Sequence, residues 1–253
     1  MTTRFLEDTN ETVDAAMSAL TRLAQRLQGL ENLAPQAWRL PLRYHGQRLV
    51  GGLEPEMALL QCLVPNRGMA LDIGANHGVY GYALSRLSPE VHCFEPLAEC
   101  CRYIQDHHAA NITVHNTALA DRAGELELHV PIIGGRTVYT RASLDRPEGP
   151  CETRRVEVRT LDSYGLANVG FIKIDVEGLE AAVLHGAQHT LETCHPTMLV
   201  EIDRARHTQS SFLGVHALLR ERGYTAHICE AGALIACRDV WGASNRHINF
   251  IFK

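Results

Sequence analysis

The chain lacks several patterns that mark particular classes of protein. It has eight cysteines but no Cys-x-x-Cys pair, so we expect neither a zinc site nor a disulfide framework. No uninterrupted apolar run approaches the roughly 18 residues of a membrane span, and the charged start MTTRFLEDTNE has no apolar core of a signal peptide. These absences predict a cytoplasmic protein without a membrane span.

The chain also lacks an excess of basic residues. Its net charge is −5 and its pI is near 6.3, whereas a nucleic-acid-binding surface normally shows basic clustering. We therefore expect no nucleic-acid partner. The 14 histidines are dispersed, and a length of 253 residues with 45% hydrophobic residues suffices for a full α/β core.

The most informative segment that is present runs from Leu71 to Gly81, LDIGANHGVYG. A short apolar run precedes it and a helix-favouring stretch follows, so the glycines fall at a strand-to-helix turn. Gly74 and Gly78 lack Cβ atoms and allow a close approach of the backbone to a ligand, while Asp72 supplies a carboxylate. The spacing here, Asp-x-Gly-x-x-x-Gly, differs from the Gly-x-Gly-x-x-Gly fingerprint of dinucleotide-binding proteins. A cofactor with an ammonium group and no phosphate fits better, and S-adenosylmethionine is such a cofactor.

A second acidic residue follows the next predicted strand, Val91-His92-Cys93-Phe94-Glu95. Glu95 lies about 20 residues beyond the glycine loop, where a carboxylate usually binds a ribose diol. Alternatively, Glu95 caps a helix that begins at Leu97, with Pro96 at its first position. Both roles are compatible.

Two further apolar runs end in carboxylates. FIKIDVEGLE at 171–180 delivers Asp175 and Glu177, and TMLVEID at 197–203 delivers Glu201 and Asp203. Buried parallel strands read as nearly continuous apolar runs, and open parallel sheets bind ligands at the carboxyl ends of their strands. The sequence therefore predicts one ligand site at this edge.

These residues belong to a series of motifs that resembles the FkbM-type methyltransferases. The motifs occur in the family's order over most of residues 50–203, and the pair of TLD followed by IKIDVEGxE is the most specific. His77 departs from the series, since an aliphatic residue is expected there, and the segment 203–207 does not match a known pattern. The matching blocks are LDIGANHGVYGYALS at 71–85, FEP at 94–96, NTALADRAGELEL at 116–128, ASL at 142–144, VRTLDSYG at 158–165 and FIKIDVEGLEAAVLHGA at 171–187.

The resemblance implies a Rossmann-like class I methyltransferase fold: an α/β protein with a mostly parallel, doubly wound sheet, an antiparallel last strand and an added N-terminal helix. It implies an S-adenosylmethionine-dependent O-methyltransferase that acts on a hydroxyl of a small molecule, a sugar or glycan, or a polyketide-like acceptor. The alternatives are a nicotinamide-dependent oxidoreductase and a non-catalytic cofactor-binding subunit. The expected cofactor contacts are Asp72, Gly74, Ala75, Asn76, Gly78, Glu95, Pro96 and Ala118.

Methyl transfer to a hydroxyl requires alignment of the acceptor and removal of its proton. Asp175, Glu177 and His207 are the predicted catalytic residues, since each is a candidate base near the carboxyl edge. A divalent metal held by Asp175 with Glu201 and Asp203 is an alternative. Because no compact carboxylate cluster is identifiable, we assign no metal ligand.

Two segments lie outside this pattern. Val13, Met17, Leu20, Ala24 and Leu27 form an apolar helical stripe, which predicts an N-terminal helical extension at 1–41 before a methyltransferase domain at 42–253. We expect this stripe to have one of three roles: it packs on the catalytic domain, it forms a homodimer contact, or it covers the acceptor. Pro35 and Pro41 are expected to end it, and 43–52 reads as a hairpin. The Pro- and Gly-rich segment 130–155 reads as a loop, with Arg136, Tyr139 and Arg141 as acceptor-facing candidates.

Overall fold

The protein is described by a computed structural model that covers residue 31 and residues 33–65 and 68–253. The predicted N-terminal helix with the stripe from Val13 to Leu27 lies outside these described residues. Within them, no helix has both the length and the apolar character needed to cross a membrane.

Helices and strands alternate along most of the chain. The α-helices are α1 (Gln36–Leu49), α2 (Leu60–Leu63), α3 (Val79–Ser85), α4 (Ala98–Gln105), α5 (Glu180–His185), α6 (Gln188–Cys194), α7 (Gln209–Glu221) and α8 (Val240–Ala243). Short 3-10 helices occur at Pro55–Leu59, Tyr139–Arg141 and Leu161–Tyr164. The strands are β1 (Met69–Ile73), β2 (Val91–Phe94), β3 (Ile112–His115), β4 (Ala118–Leu119), β5 (Gly124–Ile133), β6 (Arg136–Thr137), β7 (Cys151–Arg159), β8 (Val169–Ile174), β9 (Thr197–Glu201), β10 (Ala226–Glu230), β11 (Ala233–Ala236) and β12 (Asn249–Phe252).

The main sheet has eight strands in the order β11-β10-β12-β9-β8-β1-β2-β3. Neighbouring strands from β9 to β3 are parallel. The last strand, β12, lies between β9 and β10 and runs antiparallel to both. This confirms the class I methyltransferase fold, with its parallel sheet and antiparallel last strand.

The central strands of this sheet bury both faces, as their apolar sequences predict. Successive side chains point to opposite faces, so alternate residues enter separate cores. Leu71 and Ile73 of β1 contribute to a core with Ile172 of β8, whereas Ala70 packs in a second core with Phe171. The sheet is therefore a rigid platform from whose carboxyl edge the next residues project.

A smaller sheet, in the order β4-β7-β5-β6, stands beside this platform. β5 and β7 pair antiparallel from Gly124 opposite Val158 to Pro131 opposite Cys151. The prediction of a loop over 130–155 is thus wrong at both ends, and the connection between β5 and β7 is confined to 134–150, where it includes β6 and a 3-10 helix. Pro131 favours a loop in the sequence because it has no backbone N–H to donate. Its carbonyl nevertheless accepts a hydrogen bond from the backbone N–H of Val138, at 2.9 Å.

The region before the main sheet is helical, so the predicted hairpin over 43–52 is wrong. Pro41 lies inside α1, where it leaves the carbonyl of Ala37 without its usual helical donor. The Nδ1 atom of His107 lies 3.0 Å from that carbonyl oxygen and replaces the lost donor. The proposed domain boundary between residues 41 and 42 therefore falls within α1.

Candidate active site

The register of the central strands brings the predicted site residues to one level. Ile73 of β1 is aligned with Phe94 of β2 and with Ile174 of β8. Ile174 is in turn aligned with Val200 of β9. The residues that follow these four positions therefore lie side by side at the carboxyl edge, where three of them leave the sheet and the fourth is the last residue of β9, paired with Asn249 of β12. They are Gly74, Glu95, Asp175 and Glu201.

The loop between β1 and α3 is held tightly against its neighbours. Gly74 and Gly78 adopt positive φ angles of 78° and 77°, a region that favours glycine. A Cβ atom on Gly74 would lie 1.7 Å from the carbonyl oxygen of Asp175, and one on Gly78 would lie 2.7 Å from the side chain of Ile104. The predicted role of these glycines is close approach of a ligand, whereas the described chain itself occupies the space that their Cβ atoms would take.

Glu95 connects this loop to the next helix. One carboxylate oxygen accepts a hydrogen bond from the backbone N–H of Leu97, and the other accepts one from the N–H of Asn76, both at 2.8 Å. The first contact is the capping role considered above. Burial raises the pKa of Glu95 to about 7, although both backbone hydrogen bonds oppose the increase. Glu95 is thus a rigidly held acceptor.

Asp72 lies beneath the loop and is fully buried. Neither of its carboxylate oxygens makes a hydrogen bond of normal geometry to the described residues, although the backbone amide of Gly81 is near. Burial raises the pKa of Asp72 to about 6, and the positive charge of Lys173 opposes this increase. For Asp72, an electrostatic effect on a bound ligand therefore agrees better with the structure than a direct hydrogen bond to that ligand.

Two cavities meet at the carboxyl edge of the sheet. Cavity A lies between β1, β2 and the smaller sheet, and most of its wall is apolar. Its polar side chains include Asn76, Glu95, Asp175 and Glu177. Cavity A is lined by Ile73, Gly74, Asn76, Phe94, Glu95, Pro96, Leu97, Thr117, Ala118, Leu119, Leu126, Leu128, Tyr139, Thr140, Ala142, Ser143, Leu144, Asp175, Val176, Glu177 and Leu179.

Cavity B lies between the same loop and α1 and is more polar. It shares Gly74, Asn76, Thr140 and Asp175 with cavity A, so the two spaces are adjacent. Cavity B is lined by Arg43, Gln47, Gly52, Leu53, Glu54, Met57, Gly74, Ala75, Asn76, His77, Val79, Tyr80, Thr140, Lys173 and Asp175.

Asp175 is the predicted catalytic residue that borders both cavities. The Nζ atom of Lys173 donates to Oδ2 of Asp175 at 2.8 Å, and the ammonium lies 4.9 Å from the centre of the Tyr80 ring. Although burial of Lys173 opposes it, the charges of Asp175 and Asp72 raise the pKa of the lysine, which keeps it protonated. This ion pair fixes one oxygen of a carboxylate whose side chain is 27% exposed.

The other two predicted catalytic residues differ in position. Glu177 lines cavity A and forms an ion pair with Nη2 of Arg206 at 2.5 Å. Burial raises the pKa of Glu177, and Arg206 opposes the increase. His207 lines neither cavity. Its Nε2 atom lies 2.9 Å from the carboxylate of Glu180, which is buried.

The remaining sequence candidates also divide by position. Gly74, Asn76, Glu95, Pro96 and Ala118 line cavity A, Ala75 lines cavity B, and Asp72 and Gly78 line neither. Of the three acceptor-facing candidates, Tyr139 lines cavity A, whereas Arg136 and Arg141 are exposed and line neither cavity. Among the described residues, no group of three or more His, Cys, Asp and Glu side chains is arranged to hold a metal ion.

The raised carboxylate pKa values predict how stability depends on pH. The pKa of Asp72 rises from 3.8 to about 6 and that of Glu95 from 4.5 to about 7 on folding. Between these values the folded chain binds more protons than the unfolded chain, so these groups lower the free energy of unfolding as pH rises from about 4 to about 7. Urea denaturation of wild type and of Asp72→Asn at a series of pH values across this interval measures the free energy of unfolding. We expect that free energy to decrease less with rising pH in the variant. Parallel curves would contradict the prediction.

Comparisons with known proteins agree with this architecture. A family model, the methyltransferase FkbM domain, matches residues 72–226. The solved structure of a methyltransferase FkbM from Methylobacillus flagellatus KT is 17% identical, with a TM-score of 0.51. That alignment covers 96% of this chain but 60% of the other, so this chain spans little more than half of that protein.

Two further solved structures share the fold at lower identity. A candidate methyltransferase from Streptococcus mutans in complex with SAH is 9% identical, with a TM-score of 0.46, and the alignment covers 79% of this chain and 96% of the other. A TehB-like SAM-dependent methyltransferase from Corynebacterium glutamicum is 13% identical, with a TM-score of 0.44 and coverages of 85% and 95%. Among curated proteins, none matches the chain significantly.

Proposed function

Since this chain belongs to the FkbM methyltransferase family, we propose that it transfers the methyl group of S-adenosylmethionine to a hydroxyl group of an acceptor. The methyltransferase class and the cofactor follow from the family, whereas the hydroxyl is our proposal. The acceptors that we propose are a small molecule, a sugar or glycan, and a polyketide-like compound. The observation that carries the proposal is the position of Asp175 at the border of cavities A and B.

The residues of the site fit S-adenosylmethionine. Apolar side chains of cavity A, such as Leu119 and Leu128, suit an adenine ring, and the carboxylate of Glu95 suits ribose hydroxyls. The buried, unpaired carboxylate of Asp72 provides negative charge for a cationic ligand. When bound, S-adenosylmethionine supplies an electrophilic methyl group on its sulfonium. We propose contacts from the cavity-lining members of the predicted set and a charge effect from Asp72.

The protein's own groups would align the acceptor and remove its proton. Lys173 holds Oδ2 of Asp175, which leaves Oδ1 to accept the proton of an acceptor hydroxyl. Thr140 and Tyr139, from the connection between β5 and β7, cover the same region and would help to exclude water. Glu177, already paired with Arg206, would orient the acceptor.

Turnover with a panel of acceptors tests this function. Hydroxyl-bearing sugars, glycolipid headgroups and polyketides would be incubated with S-adenosylmethionine, and products would be identified by a gain of about 14 mass units and by S-adenosylhomocysteine release. We expect methylation at an oxygen. Products methylated only at nitrogen or carbon would contradict the hydroxyl assignment. Calorimetry should show binding of S-adenosylmethionine and no binding of NAD.

Replacing Glu95 by Gln should weaken cofactor binding without unfolding the chain. The substitution removes a negatively charged acceptor that lies in cavity A, and a charged hydrogen bond contributes about 1.5 to 3 kcal/mol. Calorimetric titration with S-adenosylmethionine measures the loss. Glu157→Gln is a matched control, because Glu157 pairs with Arg159 on the exposed side of β7. Unchanged affinity in Glu95→Gln would remove the ribose assignment.

A further inference from the structure

Cavity B has a wall that precedes the region matched by the family model. Arg43 and Gln47, one turn apart on α1, face the loop that contains Asn76. Because cavity B shares four residues with cavity A, a ligand whose adenosyl part occupies cavity A has its other end close to this wall. The cofactor's other end is an amino acid with an ammonium and a carboxylate, so it needs partners of both charges.

Arg43 is held in a fixed position by the buried Glu31 and the half-buried Tyr103. Its Nε and Nη2 atoms donate to the carboxylate of Glu31 at 3.1 and 3.0 Å, and Glu31 is 2% exposed. The hydroxyl of Tyr103 accepts a hydrogen bond from Nε at 3.1 Å. Among the described residues, none accepts a hydrogen bond from Nη1. A preorganised arginine loses little entropy when it binds a carboxylate.

The charges around cavity B indicate which group Arg43 would bind. Among the described residues that line this cavity, Arg43 and Lys173 carry the positive charges, and Lys173 is already paired with Asp175. The lining carboxylate of Glu54 suits an ammonium group, and it also accepts a hydrogen bond from the Tyr80 hydroxyl at 2.6 Å. Arg43 is itself paired with Glu31, but through Nε and Nη2, so an incoming carboxylate would approach the Nη1 end of its guanidinium.

We propose that Arg43 binds the α-carboxylate of S-adenosylmethionine, with Gln47 beside it on the same helix. The inference rests on the proposed placement of the adenosyl part in cavity A. It makes α1 part of the cofactor site, although the family model begins at residue 72. It also gives the buried Glu31 the role of a positioning residue, which orients the guanidinium without touching the cofactor.

The test compares two cofactors that differ only in the carboxylate. Decarboxylated S-adenosylmethionine keeps the adenosyl group, the sulfonium and the ammonium. We expect Arg43→Gln to weaken binding of S-adenosylmethionine roughly 10- to 100-fold. Affinity for the decarboxylated form and for 5′-methylthioadenosine should change by less than about twofold. Arg48→Gln is the matched control, because Arg48 is exposed on the same helix and does not line cavity B.

Each other result overturns the inference in a distinct way. Equal losses for all three ligands would show that Arg43 only supports the fold of α1, and unchanged binding of S-adenosylmethionine would show no contact. If Arg43→Gln fails to fold, the unaltered protein still decides, since equal affinity for the two cofactors would exclude a carboxylate partner. Absence of binding by all three ligands to the unaltered protein would overturn the cavity assignment itself, and this inference with it.

Discussion

Asp175→Asn should lower turnover by roughly two to four orders of magnitude while the affinity for S-adenosylmethionine changes little. The amide keeps the shape of the side chain but cannot accept the proton of an acceptor hydroxyl effectively. Asp175 borders both cavities, and the hydrogen bond from Lys173 restricts its orientation. The effect should therefore fall on the chemical step, and single-turnover kinetics beside calorimetric titration would measure the two quantities.

Two further variants sharpen the assignment of the base. Glu177→Gln should have a smaller effect on turnover, because Glu177 is paired with Arg206 and borders only cavity A of the two. His207→Ala should have the smallest, since His207 contacts Glu180 away from both cavities. Near-normal turnover in Asp175→Asn would remove the base assignment. Loss of activity in chelator, restored by magnesium, would instead favour a metal-binding role for these carboxylates.

Gly74→Ala should abolish cofactor binding and lower the free energy of unfolding by about 3 kcal/mol or more. The added methyl group would lie 1.7 Å from the carbonyl oxygen of Asp175, at a φ angle of 78°. Since that neighbour is backbone, the loop and the end of β8 must separate. This movement displaces Asn76 from Glu95 and Asp175 from the border of the cavities. Chemical denaturation and calorimetry would measure both effects.

Gly165→Ala separates the clash from the backbone conformation. Gly165 also has a positive φ angle, 60°, but nothing lies within 4 Å of the position of a Cβ atom. The expected cost there is only the left-handed conformation, about 1 to 2 kcal/mol, with cofactor affinity unchanged. Similar losses of stability in the two variants would show that backbone conformation alone, and not the contact with Asp175, requires glycine at position 74.

The sequence predicts the platform of the site well, for a physical reason. Strands such as β2 and β8 are buried on both faces, so their sequences are mostly apolar and the acidic residue after each strand marks the sheet edge. Glu95 and Asp175 could therefore be assigned to one edge before any coordinates. The ion pair of Lys173 with Asp175 is not among the sequence predictions, although Lys173 interrupts an apolar strand. A charged residue in such a strand indicates a buried partner of opposite charge.

The parts that the sequence did not predict depend on contacts between distant segments. The helix α1 continues through Pro41, and His107 donates a hydrogen bond to the carbonyl of Ala37 that Pro41 leaves without a donor. The sequence around Pro41 does not indicate this contact with His107. β5 continues through Pro131 because β7 pairs with it up to Cys151. Likewise, the wall of cavity B depends on how α1 packs, so Arg43 could not be recognised from its neighbours in sequence.

The helix α1 has a consequence for dividing this chain into fragments. A fragment that begins at residue 42 would start in the second turn of α1 and would separate Arg43 from Glu31, its buried partner. A fragment limited to residues 72–226 would also lack β1 up to Leu71 and all of β12, which fills the sheet between β9 and β10. The smallest unit that retains both cavity walls and the complete sheet therefore extends at least from Glu31 to Phe252.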